Sequence, residues 1–333
     1  MAQKIIPTVI AMAGLFLIGF FLGKSNPDSL NSALNTIRGQ QVRQSGFTYI
    51  NPLLECEIAE ELDFAELTPF KKDVEKYVGD QITSGDATHI SIYFRDLMNG
   101  PWMGINEREE FSPSSLLKVP LIMSFYLQSE KDPSLLERKF LYNGTFDIED
   151  NQNITPEETL AVGNEYFGEE LIERTIRFSD NNAAKLLSQS MMSEYFFKPY
   201  KDLGLKLPVM SNGEYYIRVK DYASFFRVLY NASYLTKTSS EKALSILARS
   251  TFNEGLRGGV PSTIPVASKF GERIWENTNE HQMHDCGIVY YPGHPYLLCV
   301  MTKGKSFESL EKTISGVSRL IYEKANEAYS IRD

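Results

Sequence analysis

Cysteine is scarce: Cys56, Cys286 and Cys299 are the only three in 333 residues. An odd, low count excludes a disulfide-stapled scaffold, and no C-x-x-C pair suggests a zinc or redox site. Histidine is as thin, with His89, His281, His284 and His294. His281 and His284, with Asp285, could in principle hold a metal on one helical turn. The better reading there is a polar loop entering a strand, so no metal and no cofactor is expected. Positive charge is also short. The net charge of −9 leaves no basic face to neutralise phosphates, which argues against nucleic-acid binding. Internal repeats and low-complexity tracts are lacking too. What remains, 42% hydrophobic and 23% charged, is ordinary globular composition with enough length for a large core.

The N-terminus differs from the rest. Ile5–Leu22 carries no charge and lies between Lys4 and Lys24. A run of this length is near the lower edge for crossing a bilayer and longer than a typical signal-peptide core. No A-x-A site or lipidatable cysteine follows it, which favours an uncleaved signal anchor. Lys4 and Lys24 nearly balance, so the positive-inside rule assigns no orientation. Residues 25–66 contain Asn-Pro and Ser-Gly breaks and read as a membrane-proximal linker, ordered near Tyr49–Leu54.

Beyond it, Thr68-Pro69 is a helix start. Phe70, Val74, Val78 and Ile82 fall on one helical face. His89–Leu97 and Trp102–Asn106 read as a hairpin across Asn99-Gly100-Pro101. Ser114–Leu127 is a helix with almost no polar face, and therefore buried. Helical signals dominate from Asp132 to about Val260, best at Leu171–Arg177, Asn182–Met191 and Val219–Tyr230, with Ala243–Ala248 in another. Pro265–Phe270, Cys286–Tyr291 and Tyr296–Thr302 are short strands. A last amphipathic helix carries Leu310, Ile314, Val317 and Ile321. The order predicts an α/β (more strictly α+β) fold. An antiparallel sheet flanked by N- and C-terminal helices accepts an all-helical insertion.

Three short motifs carry chemistry. In Ser115-Leu-Leu-Lys118, a helix brings the lysine within reach of the serine hydroxyl. A serine needs a base to become a nucleophile, and a lysine becomes one when burial lowers its pKa. The motif alone occurs by chance on the order of once per chain of this size. Yet Lys118 is the only charge between Glu110 and Glu130, inside a run that is otherwise core. Ser179-Asp180-Asn181 lies between two helices. It is either a cap or a source of a proton-relaying hydroxyl and an amide-binding side chain. Ser268-Lys269-Phe270-Gly271 ends a strand. Its lysine suits a substrate carboxylate, and its glycine permits close backbone approach.

Together S-x-x-K, S-D-N and K-x-G, in this order, resemble the three-motif signature of class A β-lactamases and penicillin-binding proteins. Phe111, the Lys118-Val-Pro continuation, the Pro-Val-Ala-Ser lead-in to Lys269 and the His284-Asp-Cys-Gly-Ile-Val strand are similar to that family as well. The resemblance covers about Leu67 to the C-terminus. With the readings above it divides the chain into an anchor at 1–24, a linker at 25–66 and a serine hydrolase domain at 67–333. The domain would lie outside the cytoplasm of a bacterial cell, on a single membrane span. It implies Ser115 as nucleophile, Lys118 as its base and Ser179 as proton shuttle. Asn181 would orient the substrate amide, and Lys269 would attract a carboxylate. The backbone N–H groups of Ser115 and Glu272 would form the oxyanion hole, with Gly271 permitting close backbone approach. The implied partner is a β-lactam or a peptidoglycan peptide.

Two departures bear on activity. Phe270 replaces a small hydroxyl residue, removing a hydrogen bond to the substrate carboxylate and adding bulk. The glutamate that releases the acyl group in class A enzymes finds its nearest counterpart in Glu214. Arg218 stands four residues on where the family has Asn. Without that glutamate the acyl-enzyme would persist, as in a D,D-peptidase-like penicillin-binding protein. A non-catalytic envelope protein with the same fold is the competing expectation.

Overall fold

The computed structural model describes residues 41–56, 68–98, 101–148, 152–208 and 215–329. The charge-free run Ile5–Leu22 and Glu214 both lie outside them. Among the described residues no helix is long and apolar enough to cross a membrane. Contacts divide the chain into residues 1–42 with 54–62, and residues 43–53 with 63–333. The first unit is described only at residues 41–42 and 54–56, in the short strands Gln41–Arg43 and Leu53–Cys56. All that follows concerns the second.

Helix α1 (Thr68–Ser84) opens at the Thr-Pro pair. Strands β1 (His89–Asp96) and β2 (Trp102–Ile105) form the expected hairpin. A 3₁₀ turn, Ser114–Leu117, runs into α2 (Lys118–Ser129). The helical insertion follows with α3 (Gly168–Arg177), α4 (Asn181–Gln189), α5 (Val219–Tyr230) and α6 (Lys237–Leu247). The chain then returns as β3 (Val266–Trp275), β4 (Glu280–Val289) and β5 (Tyr296–Gly304), and ends in α7 (Phe307–Tyr329). The five strands form one antiparallel sheet in the order β2-β1-β5-β4-β3. The N-terminal hairpin thus joins the C-terminal strands where β1 pairs with β5.

Strand alternation splits the core in two. Tyr296, Leu298 and Val300 join Ile314 and Val317 of α7 and Val74 of α1 on one face. Leu297, Cys299 and Met301 join α2, α3 and α5 on the other. Helix α2 is buried nearly all round, as its apolar sequence requires. Residues 43–53 lie against the insertion. Arg43 Nη1 donates to Asn231 Oδ1 at 3.0 Å, and the Glu241 carboxylate accepts backbone N–H groups of Thr48, Tyr49 and Ile50 at 2.9 to 3.2 Å.

Four details differ from expectation. Ile82 is 41% exposed, because the inward stripe of α1 ends at Val78. His281–Asp285 is not a loop entering a strand but the first half of β4. Glu110–Phe111 pairs with Ile217–Arg218, and Lys139–Leu141 with Glu165–Phe167. Strands of two or three residues leave no periodicity to read. Their stability comes from a distant partner.

Candidate active site

Ser115 stands in the 3₁₀ turn, at the mouth of α2. Before it, Ser114 holds φ 50°, a left-handed conformation that costs a non-glycine residue on the order of 1–3 kcal/mol. Several contacts hold the turn. His284 Nε2 meets Ser112 O at 3.0 Å, Gln282 Oε1 accepts Ser112 N–H at 3.1 Å, and Tyr222 donates its hydroxyl to Leu116 O at 2.8 Å. Gly271 lets β3 press on the turn. A Cβ there would stand 2.6 Å from Pro113 O and 3.1 Å from Leu116 N. The N–H groups of Ser115 and Glu272 belong to these two abutting segments. Among the described residues the Ser115 hydroxyl makes no hydrogen bond.

Lys118 starts α2, one turn past Ser115, and is 5% exposed. Its ammonium donates to Ser179 O, to Ser179 Oγ at 3.1 Å and to Asn181 Oδ1 at 2.7 Å. Ser179 is itself strained, at φ 59°. Asp180 caps α4 by accepting Ala183 N–H at 2.7 Å. That cap sets Asn181 on the first turn of α4, facing Lys118. The tripeptide is therefore both a helix cap and a part of the cluster.

Lys269 approaches Ser179 from β3. It is fully buried, and Nζ donates to Ser179 Oγ at 2.9 Å and to Phe270 O at 2.9 Å. The Ser179 hydroxyl thus sits between two lysines, one from the start of α2 and one from β3. Burial, then the charge of Lys118, holds the Lys269 ammonium well below the usual lysine range. Among the described residues no carboxylate lies within ion-pair distance of Lys269. Phe270 is buried, only 5% exposed. Its ring stacks on Phe252 with centroids 4.3 Å apart, within the core shared by α1 and α7. The lysine's Nζ lies 3.9 Å from that ring's centroid. The expected added bulk is absorbed by the core, while the missing hydroxyl remains missing.

Sequence alone overlooked His284, Gln282 and Tyr222 as supports of the Ser115 turn. The signal for His284 was its place in the strand that carries the resemblance. Arg218 is exposed, with Nε 3.9 Å from Glu110 Oε1, and takes no part in the cluster. Among the described residues no group of His, Cys, Asp or Glu is placed to hold a metal. Cys286 and Cys299 are free thiols, opposite one another on β4 and β5.

His284 and Asp285 make the site's support pH-dependent in opposite senses. His284 donates from Nε2 to Ser112 O and accepts Thr302 N–H at Nδ1, so the neutral ring satisfies both nitrogens. Burial lowers its pKa from 6.5 to about 4. The unfolded chain therefore takes up the proton first, and stability drops as pH falls from 6.5 to about 4. Burial raises Asp285 from 3.8 to about 6. Here the folded chain holds the extra proton, and its contribution is lost as pH rises through that window. Between about pH 4 and 6 the two slopes oppose. His284→Gln, which preserves one donor and one acceptor, should expose the Asp285 slope. Relative to the parent, stability of the variant should fall by about 1.4 kcal/mol per pH unit on going from pH 4 to 6. Urea unfolding across that range measures it, and parallel pH profiles would contradict the assignment.

A sheet with outer helices, an inserted helical layer and a serine–two-lysine cluster between them is the arrangement of a serine β-lactamase-like protein. The family model described as the beta-lactamase enzyme family matches residues 69–325, and the chain belongs to that family. No curated protein matches its sequence. Its fold is similar to that of a beta-lactamase from Chitinophaga pinensis, with TM-score 0.66 and 20% identity over 76% of this chain and 100% of that one. It is also similar to PBP-A, with TM-score 0.64 and 21% identity over 78% and 97% of the two chains. A class A beta-lactamase from Mycobacterium abscessus gives TM-score 0.63 and 20% identity over 76% and 99%.

Proposed function

We propose that the protein is a serine hydrolase that opens a β-lactam or cleaves a related cell-wall peptide amide through an acyl-enzyme on Ser115. The observation that carries this reading is the Ser179 hydroxyl shared by Lys118 and Lys269 beside the Ser115 turn. A neutral Lys118 takes the Ser115 proton as Oγ attacks the carbonyl carbon. The proton passes through Ser179 Oγ to the leaving nitrogen as the C–N bond breaks. Backbone N–H groups of Ser115 and Glu272 steady the developing oxyanion. Asn181 orients the substrate amide, and Lys269 receives a substrate carboxylate. Arrival of that anion raises the suppressed Lys269 pKa again, so binding takes up a proton wherever Lys269 was neutral. The missing hydroxyl at Phe270 weakens this carboxylate site. Glu214 is the remaining candidate for the base that releases the acyl group.

Among the similar structures, a variant of PBP-A is an acyl-enzyme complex with penicillin G, and its fold matches with TM-score 0.65 at 21% identity. This supports a penicillin as the probe. The charge-free run Ile5–Leu22 is proposed as a single membrane anchor that holds the domain outside the cytoplasm of a bacterial cell. Mass spectrometry after mixing with penicillin G should show the chain gaining one penicillin mass. Because Arg218 replaces the family's Asn and lies outside the cluster, the adduct should persist for minutes or longer. Failure to gain mass at millimolar penicillin would remove the acylation reading and favour a binding or scaffolding role on the same fold.

A further inference from the structure

The proposed mechanism uses only the backbone N–H of Glu272, yet its side chain has structure of its own. Glu272 Oε1 accepts Asn153 N–H at 2.7 Å and Ile154 N–H at 3.3 Å. Oε2 accepts from Asn153 Nδ2 at 2.6 Å. The preceding residue, Gln152, donates from Nε2 to Ser179 O at 3.2 Å. Three consecutive residues thus touch both walls of the cleft. One wall is the Ser179 loop and the other is β3, three residues past Lys269. The same two elements meet at the 2.9 Å contact between Lys269 Nζ and Ser179 Oγ. The bridging segment and the proton relay therefore share Ser179.

We propose that Glu272 is a specificity-determining residue, latching residues 152–154 across the cleft so that slender substrates reach Ser115 and bulky ones must first break the latch. This rests on the acylation chemistry proposed above. The chemistry of the latch suits release. Charge-assisted hydrogen bonds to a carboxylate are the stronger kind. Those of Glu272 to Asn153 are solvent-facing, where water replaces them readily. The carboxylate also accounts for an acid this close to a lysine assigned to a substrate carboxylate. Its lone pairs are directed to Asn153 and Ile154. The substrates so favoured are β-lactams or cell-wall amides with little or no acyl side chain next to the scissile amide. Those with long or branched acyl groups are held back.

The test uses the full chain, with 6-aminopenicillanic acid as the slender probe and a fluorophore-bearing penicillin as the bulky one. Second-order acylation rates are measured for the parent, Glu272→Ala and Asn153→Ala. Glu272→Ala keeps the backbone N–H and removes the latch. It should raise the bulky-to-slender rate ratio at least tenfold. Asn153→Ala loses one of the three bonds and should move the ratio the same way by less. Hydrogen exchange gives a readout independent of chemistry. The Asn153 and Ile154 amides should lose protection in Glu272→Ala. Unchanged exchange would overturn the latch. Faster exchange with an unchanged ratio would overturn its role in specificity while leaving the hydrolase intact. No acylation of either parent or variant by either probe would sink the hydrolase reading, and the specificity role with it.

Discussion

Ser115→Ala is expected to abolish covalent labelling by a fluorescent penicillin while leaving the fold unchanged. The first half follows from chemistry. Ser115 is the hydroxyl that the S-x-x-K motif sets one turn before Lys118, and deletions of a nucleophile cost on the order of 10⁶ in rate. The second half follows from the structure. The Ser115 hydroxyl makes no hydrogen bond among the described residues and is only half-buried. Its removal strands no partner, so the stability change should stay within about 0.5 kcal/mol. The turn is held instead by His284, Gln282, Tyr222 and the bare face of Gly271. Loss of label with an unchanged unfolding midpoint is the expected pair of results. Label that survives in the variant would move the nucleophile elsewhere, with the strained neighbour Ser114 the first alternative.

How much of this was legible beforehand depends on how local each cause is. Lys118, Ser179, Asn181 and Lys269, which the structure joins by hydrogen bonds, were readable as neighbours because each sits in a short motif whose neighbours fix its place. Lys118 was conspicuous as a lone charge in a core helix, and burial is what the structure gives it. That the two chain ends share one antiparallel sheet followed from the β-branched and aromatic runs there, but the strand order did not. What sequence could not supply were pairings across long separations. Glu110–Phe111 finds Ile217–Arg218 more than a hundred positions away. The ring of His284 supports Ser112 through 172 positions, and no local pattern marks a histidine in mid-strand as such a support. Phe270 shows the converse. Its identity was a visible departure, but only the structure shows its ring stacked on Phe252 within the core. Glu272 was chosen for its backbone, and the reach of its carboxylate to Asn153 lies in tertiary structure alone.

The second large effect concerns the base. Lys118→Met keeps the length of the side chain and its apolar stem but removes the ammonium. Ser179 Oγ retains its bond from Lys269 at 2.9 Å, whereas Asn181 Oδ1 loses its 2.7 Å donor. One orphaned acceptor costs about 1–3 kcal/mol. Against that stands relief for Lys269, because the charge of Lys118 is second only to burial in depressing its pKa. Losing one of two neighbouring cations removes a repulsion that the fold otherwise sustains. Stability should therefore change little, and the Lys269 pKa should rise. Acylation should not survive so well. A positioned general base contributes about 10²–10⁴-fold, and the second-order acylation rate with penicillin G should fall by that factor. A variant that acylates within tenfold of the parent would take the base away from Lys118. Glu214 acting through water would then be the group to test.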